Sequence, residues 1–596
     1  MRTLVAVLGL LTSSVAIAQD CTFDPARVVR PREVMRRLSQ TAEAVAPSSS
    51  HRRPVSAPQQ PKYPVRNFID TEIFGLMDHD GVAWTSPSTD EEFLRRVTLD
   101  LTGQIPDAAT VRAFLADTSA GKRERAIDRL LHSEEYVDRW TLWLGDLVQN
   151  VQSASNTLLF EEGRDPYYYW MRDQIRANKP YDQLVRELLT TDGGNFHQGP
   201  ANYIVRQWQN NGPMQDTYDN LSSHTGEKFL GITINCLSCH NGFGHLEQVN
   251  PSLAKRTRPE FWRNAAFFAQ VTLKNANSDD DYEWQVGTNP GGAYELNTMT
   301  GNKTVRAPSE SQPSPVGPAF ILTGETPKEG ENRRVAYARM LTAHPQFARA
   351  TVNYLWKELF GMGLVEPADN FDLLAQDTQP THPALLTHLA EWFAANGYDL
   401  RELLRLMVNS SAYQLSSRYT PGAWQESYTR YYARHYPRRM LSESVLDSVA
   451  RATNVPISIK VPLIDPPFTR AMALPDTREP WVPQRTPSPY KTILDTFGRG
   501  DRDATPRTRD GSIAQALEML NDPVVTTRVT TRISKLLEST HEPAAIVDEL
   551  YLATLSRNPS AEERAAAIAY LQDGDLKSNA EDLQFALFNH LQFLFN

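Results

Sequence analysis

Phe229-Leu-Gly-Ile-Thr-Ile-Asn-Cys236-Leu-Ser-Cys239-His240-Asn-Gly-Phe243 holds two of the chain's three cysteines, spaced C-x-x-C and followed at once by histidine. That order has a chemical meaning. In a C-x-x-C-H pentad the two thiols can add across the vinyl groups of haem, and the tether holds the adjacent imidazole close enough to ligate the iron. The reading assigns Cys236 and Cys239 as thioether positions and His240 as the proximal iron ligand of one covalently attached haem c. Three other readings compete: a disulfide, half of a zinc site, or coincidence. Zinc wants further ligands and there is no second C-x-x-C; a thioredoxin-like dithiol wants a βαβ setting that the flanks do not supply.

The first twenty residues give the compartment. Met1-Arg2 is a short positive start, Leu4 to Leu11 is an apolar core, and Ala16-Ile17-Ala18 reads as a cleavage site, so residues 1–18 form a signal peptide. The apolar run is too short to span a membrane. Asp20 stands where a lipoprotein needs a small residue, so the expectation is release into the periplasm or to the outside. Export and a haem-attachment motif support one another, while an oxidising compartment also keeps the disulfide reading open. Cys21 is then a free or intermolecular thiol in a leader segment. A net charge of −10 argues against nucleic acid and anionic membrane surfaces as partners.

Taken in order, residues 19–66 read as a disordered leader and linker, with breakers from Pro47 to Pro61 and no apolar period. Helical spacing begins at Phe68, Ile69, Ile73, Leu76 and Met77, and Asp90 and Asp107 read as helix caps. Trp140, Trp143, Leu144 and Leu147 mark a core stripe. Pro259 to Val271 reads as a helix. Residues 275–332 are rich in Asn, Gly, Pro and Asp, with a short hairpin expected between Tyr294–Met299 and Lys303–Arg306 and a solvated acidic turn at Asp279–Asp281. From Arg333 the pattern is helical again, broken by a Pro-rich excursion at about 455–490 and closed by an apolar tail, Asp582–Asn596, that must dock on something. Ala177-Asn-Lys-Pro-Tyr181-Asp182 is echoed by Ala395-Asn-Gly-Tyr398-Asp399, each Asp placed to cap a helix. The fold class expected is mainly α, with helical domains over 67–274 and 333–596 joined by the irregular connector.

Over nearly all of its mature length the chain resembles the large secreted planctomycete-type cytochrome-c-like family, in which a haem-motif domain precedes a C-terminal domain of unknown function. The first domain shows the resemblance at Arg96–Gly103, Asp128–Ser133, Trp140–Asp146 and Phe229–His240. The second shows it at His344–Ala350, Asn353–Trp356, Leu359–Pro367, Tyr398-Asp399, Ser410–Tyr413, Gln515–Asn521 and Leu555–Pro559. The resemblance implies a mostly helical exported protein with a c-type haem assignment and no established reaction. Members usually continue C-x-x-C-H-x-H-P; here Gly242 and Phe243 occupy the last two positions and His245 is displaced. Tyr354 stands where an arginine is common. The extra N-terminal cytochrome domain of many relatives is not recognisable, so one haem at most is expected.

The sixth iron ligand is left open among His197, His224, His245, Met214, Met299 and an unfilled position. No G-x-S-x-G elbow or H-E-x-x-H supports a hydrolase, and Asp369, Asp372 and Asp377 near His382 read as a solvated loop. Three functions remain. The first is a mono-haem cytochrome-like protein passing electrons to or from a periplasmic redox protein or exported enzyme. The second is a non-catalytic helical surface or binding scaffold with a Cys236–Cys239 disulfide. The third is a haem oxidoreductase with an open iron site. The family context places such a chain beside polysaccharide-degradation machinery, an expectation by analogy.

Overall fold

Asn67 opens the first helix of the main body, Phe68–Asp80, by accepting the Ile69 N–H, and Gly81 in the left-handed region closes it. The same device recurs at Asp90–Thr102, where Thr89 rather than Asp90 caps and three acids occupy the first turn. Asp107 caps Ala108–Ala116 as its sequence predicts. The computed structural model describes residues 31–46, 48, 63–152, 160–275, 283–420, 422, 424–480 and 488–596. The signal peptide, Cys21, most of the Pro47–Pro61 run and Asp279–Asp281 lie outside them. Over this range the fold is mainly helical with two small antiparallel sheets. No helix among the described residues is long and apolar enough to cross a membrane.

The segment read as a leader contains a helix, Pro31–Val45. It is held to the second half of the chain: Ser39 accepts the Trp424 indole N–H at 2.7 Å, and Arg434 bonds Glu43 and the Ala42 carbonyl. The expected helix to Val271 stops early. Arg258–Ala265 gives way to a 3-10 turn, and Val271–Asn275 is a strand paired with Trp284–Thr288, with Gly193–Gly194 on its far edge. The strand pairing therefore lies at 271–275 and 284–288, which carry β-branched and aromatic residues. In the Tyr294–Arg306 run only an isolated bridge joins Thr298 to Arg306.

The irregular connector does not divide the core. Buried side chains from Ala42 to Tyr436, with Leu552 and Ala553, form one apolar cluster, and most of those from Met440 to Leu594, with Leu99 and Ile105, form the second. The helices Arg333–Ala343, Pro345–Phe360, Pro383–Ala395 and Leu400–Asn409 thus bury their apolar faces against the first half. The sequence echo shows how. Tyr181 donates its N–H to the Tyr398 carbonyl at 3.0 Å, and both rings lie 5.6 Å from Phe347. Asp399 caps its helix, but Pro180 takes that position in the earlier copy, which leaves Asp182 in the first turn. The apolar tail docks as expected: Phe588 and Phe593 are buried and Asn596 exchanges backbone bonds with Arg438.

Three histidines in these cores, His224, His382 and His435, are held by burial below the ordinary imidazole range, His382 at about 3. The unfolded chain takes up protons below pH ~6.5, whereas buried His382 stays neutral. Its contribution is fully present above that pH and is lost as pH falls toward about 3. Between pH 7 and 5 His382 alone removes roughly 2 kcal/mol. Asp447, pushed up by burial to about 7, opposes this by a similar amount. We expect the stability of His382→Asn to fall about 2 kcal/mol less than that of the parent between pH 7 and 5 in urea titrations; parallel pH profiles would refute this account.

Candidate functional site at the Cys236–His240 turn

Helix Met214–Leu230 ends at Gly231, φ +64°, where a side chain would strike the Phe371 ring. Phe371 donates its backbone N–H to the Gly231 carbonyl at 2.9 Å and Thr233 donates its hydroxyl to the Asp369 carbonyl at 2.9 Å, so the chain leaves the helix pinned to 369–371. A 3-10 turn, Ile234–Ser238, follows, and Cys239 donates its N–H to the Cys236 carbonyl at 3.3 Å. The two cysteines therefore lie on one turn, three residues apart, with opposite fates. Cys236 is 4% exposed and belongs to the first core; Cys239 is half-buried and a free thiol.

Over Cys239 lies the 303–306 strip of the irregular connector. Burial raises this thiol, but hydrogen bonds from Ser238 and Thr304 and the Lys303 ammonium outweigh it and hold Cys239 below its usual value. Lys303 is fixed by Asn235 Oδ1 at 3.0 Å. Arg258 ties turn to strip: Nε donates to the Ser238 carbonyl and Nη1 to the Val305 carbonyl, each at 2.9 Å, while the guanidinium lies over Trp262. None of these partners is signalled by the motif.

His240 Nδ1 lies 2.7 Å from the Asn241 carbonyl, and no hydrogen bond engages Nε2 among the described residues. A backbone bond at Nδ1 fixes the tautomer that presents Nε2 as a ligand. His245 returns to the same place, its ring centroid 4.3 Å from that of His240, because Gly244 turns the chain at φ +84°. The two rings lie beside one another.

The remaining sixth-ligand candidates are scattered. His224 is buried between the Tyr203 hydroxyl at 3.2 Å and Gln149 Oε1 at 3.1 Å. His197 faces outward near Glu283. Met214 begins a helix, and Met299 is 72% exposed on the connector. Among the described residues no three His, Cys, Asp or Glu side chains come together in a metal-ligand cluster.

The residue types, two thiols on one turn and an imidazole engaged through Nδ1, are those that c-type haem attachment uses, and a thioether at Cys236 would require its thiol to be uncovered. Cys236 is the member that the apolar packing covers.

The chain is thus a mainly helical protein organised around a surface turn bearing two thiols and an imidazole. More particularly, residues 68–272 match the family model described as PSCyt2, protein of unknown function (DUF1549), and residues 333–571 match that described as PSD1, protein of unknown function (DUF1553). The two matched spans fall on either side of the irregular connector. No curated protein and no solved structure matches the chain.

Proposed function

We propose that the protein is an exported, mono-haem, c-type cytochrome-like protein that passes single electrons to or from a periplasmic partner. The observation that carries this reading is the His240 ring, held through Nδ1 by its neighbour's carbonyl with Nε2 available. Cys236 and Cys239 would hold the group by thioethers and His240 would ligate its iron; bound there, haem supplies a one-electron couple. Hydrogen bonds from Ser238 and Thr304 and the Lys303 ammonium favour the charged form of Cys239, the form that reacts. Arg258 and the Asn241 side chain, which accepts the Arg258 N–H at 2.9 Å, brace the turn against the following helix. Met1–Ala18 supplies the export signal that places the motif where such attachment occurs.

The test is a denaturing gel stained for haem peroxidase activity, on protein exported from a host with c-type maturation. We expect a stained full-length band that disappears in Cys236→Ala/Cys239→Ala. Folded protein without stain overturns the proposal, and a mapped Cys236–Cys239 disulfide in that protein would favour the scaffold reading.

A further inference from the structure

A cavity of about 590 Å³ lies at the seam between the two cores, where helices Pro31–Val45, Glu134–Leu147 and Pro345–Phe360 meet segments 437–441 and 507–511. That size falls within the range of small-molecule sites. Its lining is unusually basic, with eight Lys and Arg against three Asp and Glu. Carboxylates on and behind the wall pair seven of these eight cations, such as Asp100 with Arg438 at 2.9 Å and Glu443 with Arg507 at 2.7 Å, and Arg439 is the exception among the described residues.

Two of the guanidinium groups share a single carboxylate. Arg139 and Arg509 both approach one oxygen of Glu358, at 2.7 and 3.3 Å, while Arg438 bonds the Glu358 carbonyl. Burial alone would raise the Glu358 carboxyl, yet Arg509, Arg139 and Arg438 bring it down to about 2. The Arg438 side chain is 7% exposed, and its Nε–H has no partner among the described residues. Arg439, also on the wall, hydrogen-bonds only carbonyl oxygens among the described residues. Buried donors of this kind normally have acceptors. Planar guanidinium forks match oxyanions in particular. Trp143, Tyr354 and Leu38 add an apolar wall.

We infer that this cavity binds a small organic anion bearing more than one phosphate, sulfate or carboxylate group, with its oxyanions on Arg139, Arg438 and Arg509. The site is separate from the Cys236–His240 turn and its occupancy does not depend on haem. Because the seam joins both cores, the ligand would also stabilise their contact by binding only the folded chain.

Calorimetric titration of the full exported chain at low salt tests this, with citrate and fructose 1,6-bisphosphate as probes, inorganic sulfate and inorganic phosphate as single-group comparisons and neutral glucose as control. At least one of the two organic polyanions is expected to bind, and more tightly than either inorganic ion. Its affinity should fall at least tenfold in Arg509→Gln and by a smaller, measurable factor in Arg37→Gln, whose 61% exposed side chain lies on the cavity lining. Arg37 pairs only with Glu33 of its own exposed helix, so that variant keeps the fold. Absence of binding by both polyanions, binding no tighter than that of the inorganic ions, equal binding of glucose, or unchanged affinity in both variants overturns the inference.

Discussion

Replacing Arg306 with alanine is expected to destabilise the protein by roughly 3–5 kcal/mol, the range for breaking a buried ion pair by removing one partner. Arg306 is fully buried and bonds Asp216 and Asp219, both also at 0% exposure, at 2.6 Å each. Its Nε donates to the Tyr294 hydroxyl at 3.0 Å and its Nη1 to Thr298 Oγ1 at 2.9 Å, and Tyr294 in turn donates to Asp219 at 2.7 Å. Truncation leaves two carboxylates in the interior without their counter-charge, and desolvation then dominates. The effect reaches the candidate site. Asn302 donates its N–H to Asp216 at 2.8 Å, and Lys303 and Thr304 follow directly over Cys239. The variant should therefore show both a lower urea midpoint and faster alkylation of Cys239. A loss below about 1 kcal/mol, the range of an exposed pair, would contradict this account of how the connector is anchored.

Gly242→His, which restores the histidine usual in the resembling family, is expected to cost roughly 3 kcal/mol or more, at or beyond the upper end for overpacking. A Cβ at this position would lie 1.9 Å from the Leu253 carbonyl oxygen and 2.8 Å from Ala254 Cα, both backbone atoms that cannot swing aside. Gly242 also donates its N–H to the Arg256 carbonyl at 2.9 Å and accepts from His245, so the loop cannot shift without losing bonds. His245→Ala, by contrast, removes an exposed ring and should change stability by about 0.5 kcal/mol or less. Parallel urea titrations separate these outcomes. A Gly242→His protein as stable as the parent would show that the 241–246 loop is not fixed by its contact with residues 253–254. The departure from the C-x-x-C-H-x-H-P pattern is thus matched by local packing rather than being a bare substitution.

Much of the helical fold was legible because its signals are local. Asp107, Asp399 and the run of helices from Ile513 to Phe588 are set by caps and by apolar spacing within a few turns. The helix Pro31–Val45 was missed for a related reason. Its mean composition is polar, and what it buries, chiefly Ser39 and Ala42, is small. Its contacts are made by Trp424 and Arg434, nearly four hundred residues away. The Val271–Thr288 hairpin was hidden because Phe267 and Phe268 continue the apolar pattern of the preceding helix through its 3-10 end. The irregular stretch 275–332 lies between the two matched spans, and packing still crosses it, because Tyr181, Phe347 and Tyr398 meet from either side.

At the site, the pentad itself was plain, but its surroundings were not. Nothing near Cys239 in sequence points to Lys303, Thr304 or Arg258 as the groups that cover and bias it. The basic cavity was likewise beyond reach, since its arginines come from Glu134–Leu147, 437–441 and 507–511 and share no spacing. Several segments that carry the family resemblance, among them Trp140–Asp146 and Asn353–Trp356, line this cavity rather than the cysteine turn. Tyr354 occupies the position where the resemblance favours arginine, so one wall of an otherwise basic site is aromatic in this chain.

The most direct measurement is the intact mass of the purified exported chain, with mapping of the peptide that spans Ile234–Asn241. The account predicts a mature chain heavier by one haem, with the added mass on Cys236 and Cys239 and none on the Cys236→Ala/Cys239→Ala variant. An unmodified mass for folded protein exported through a competent maturation system would contradict it.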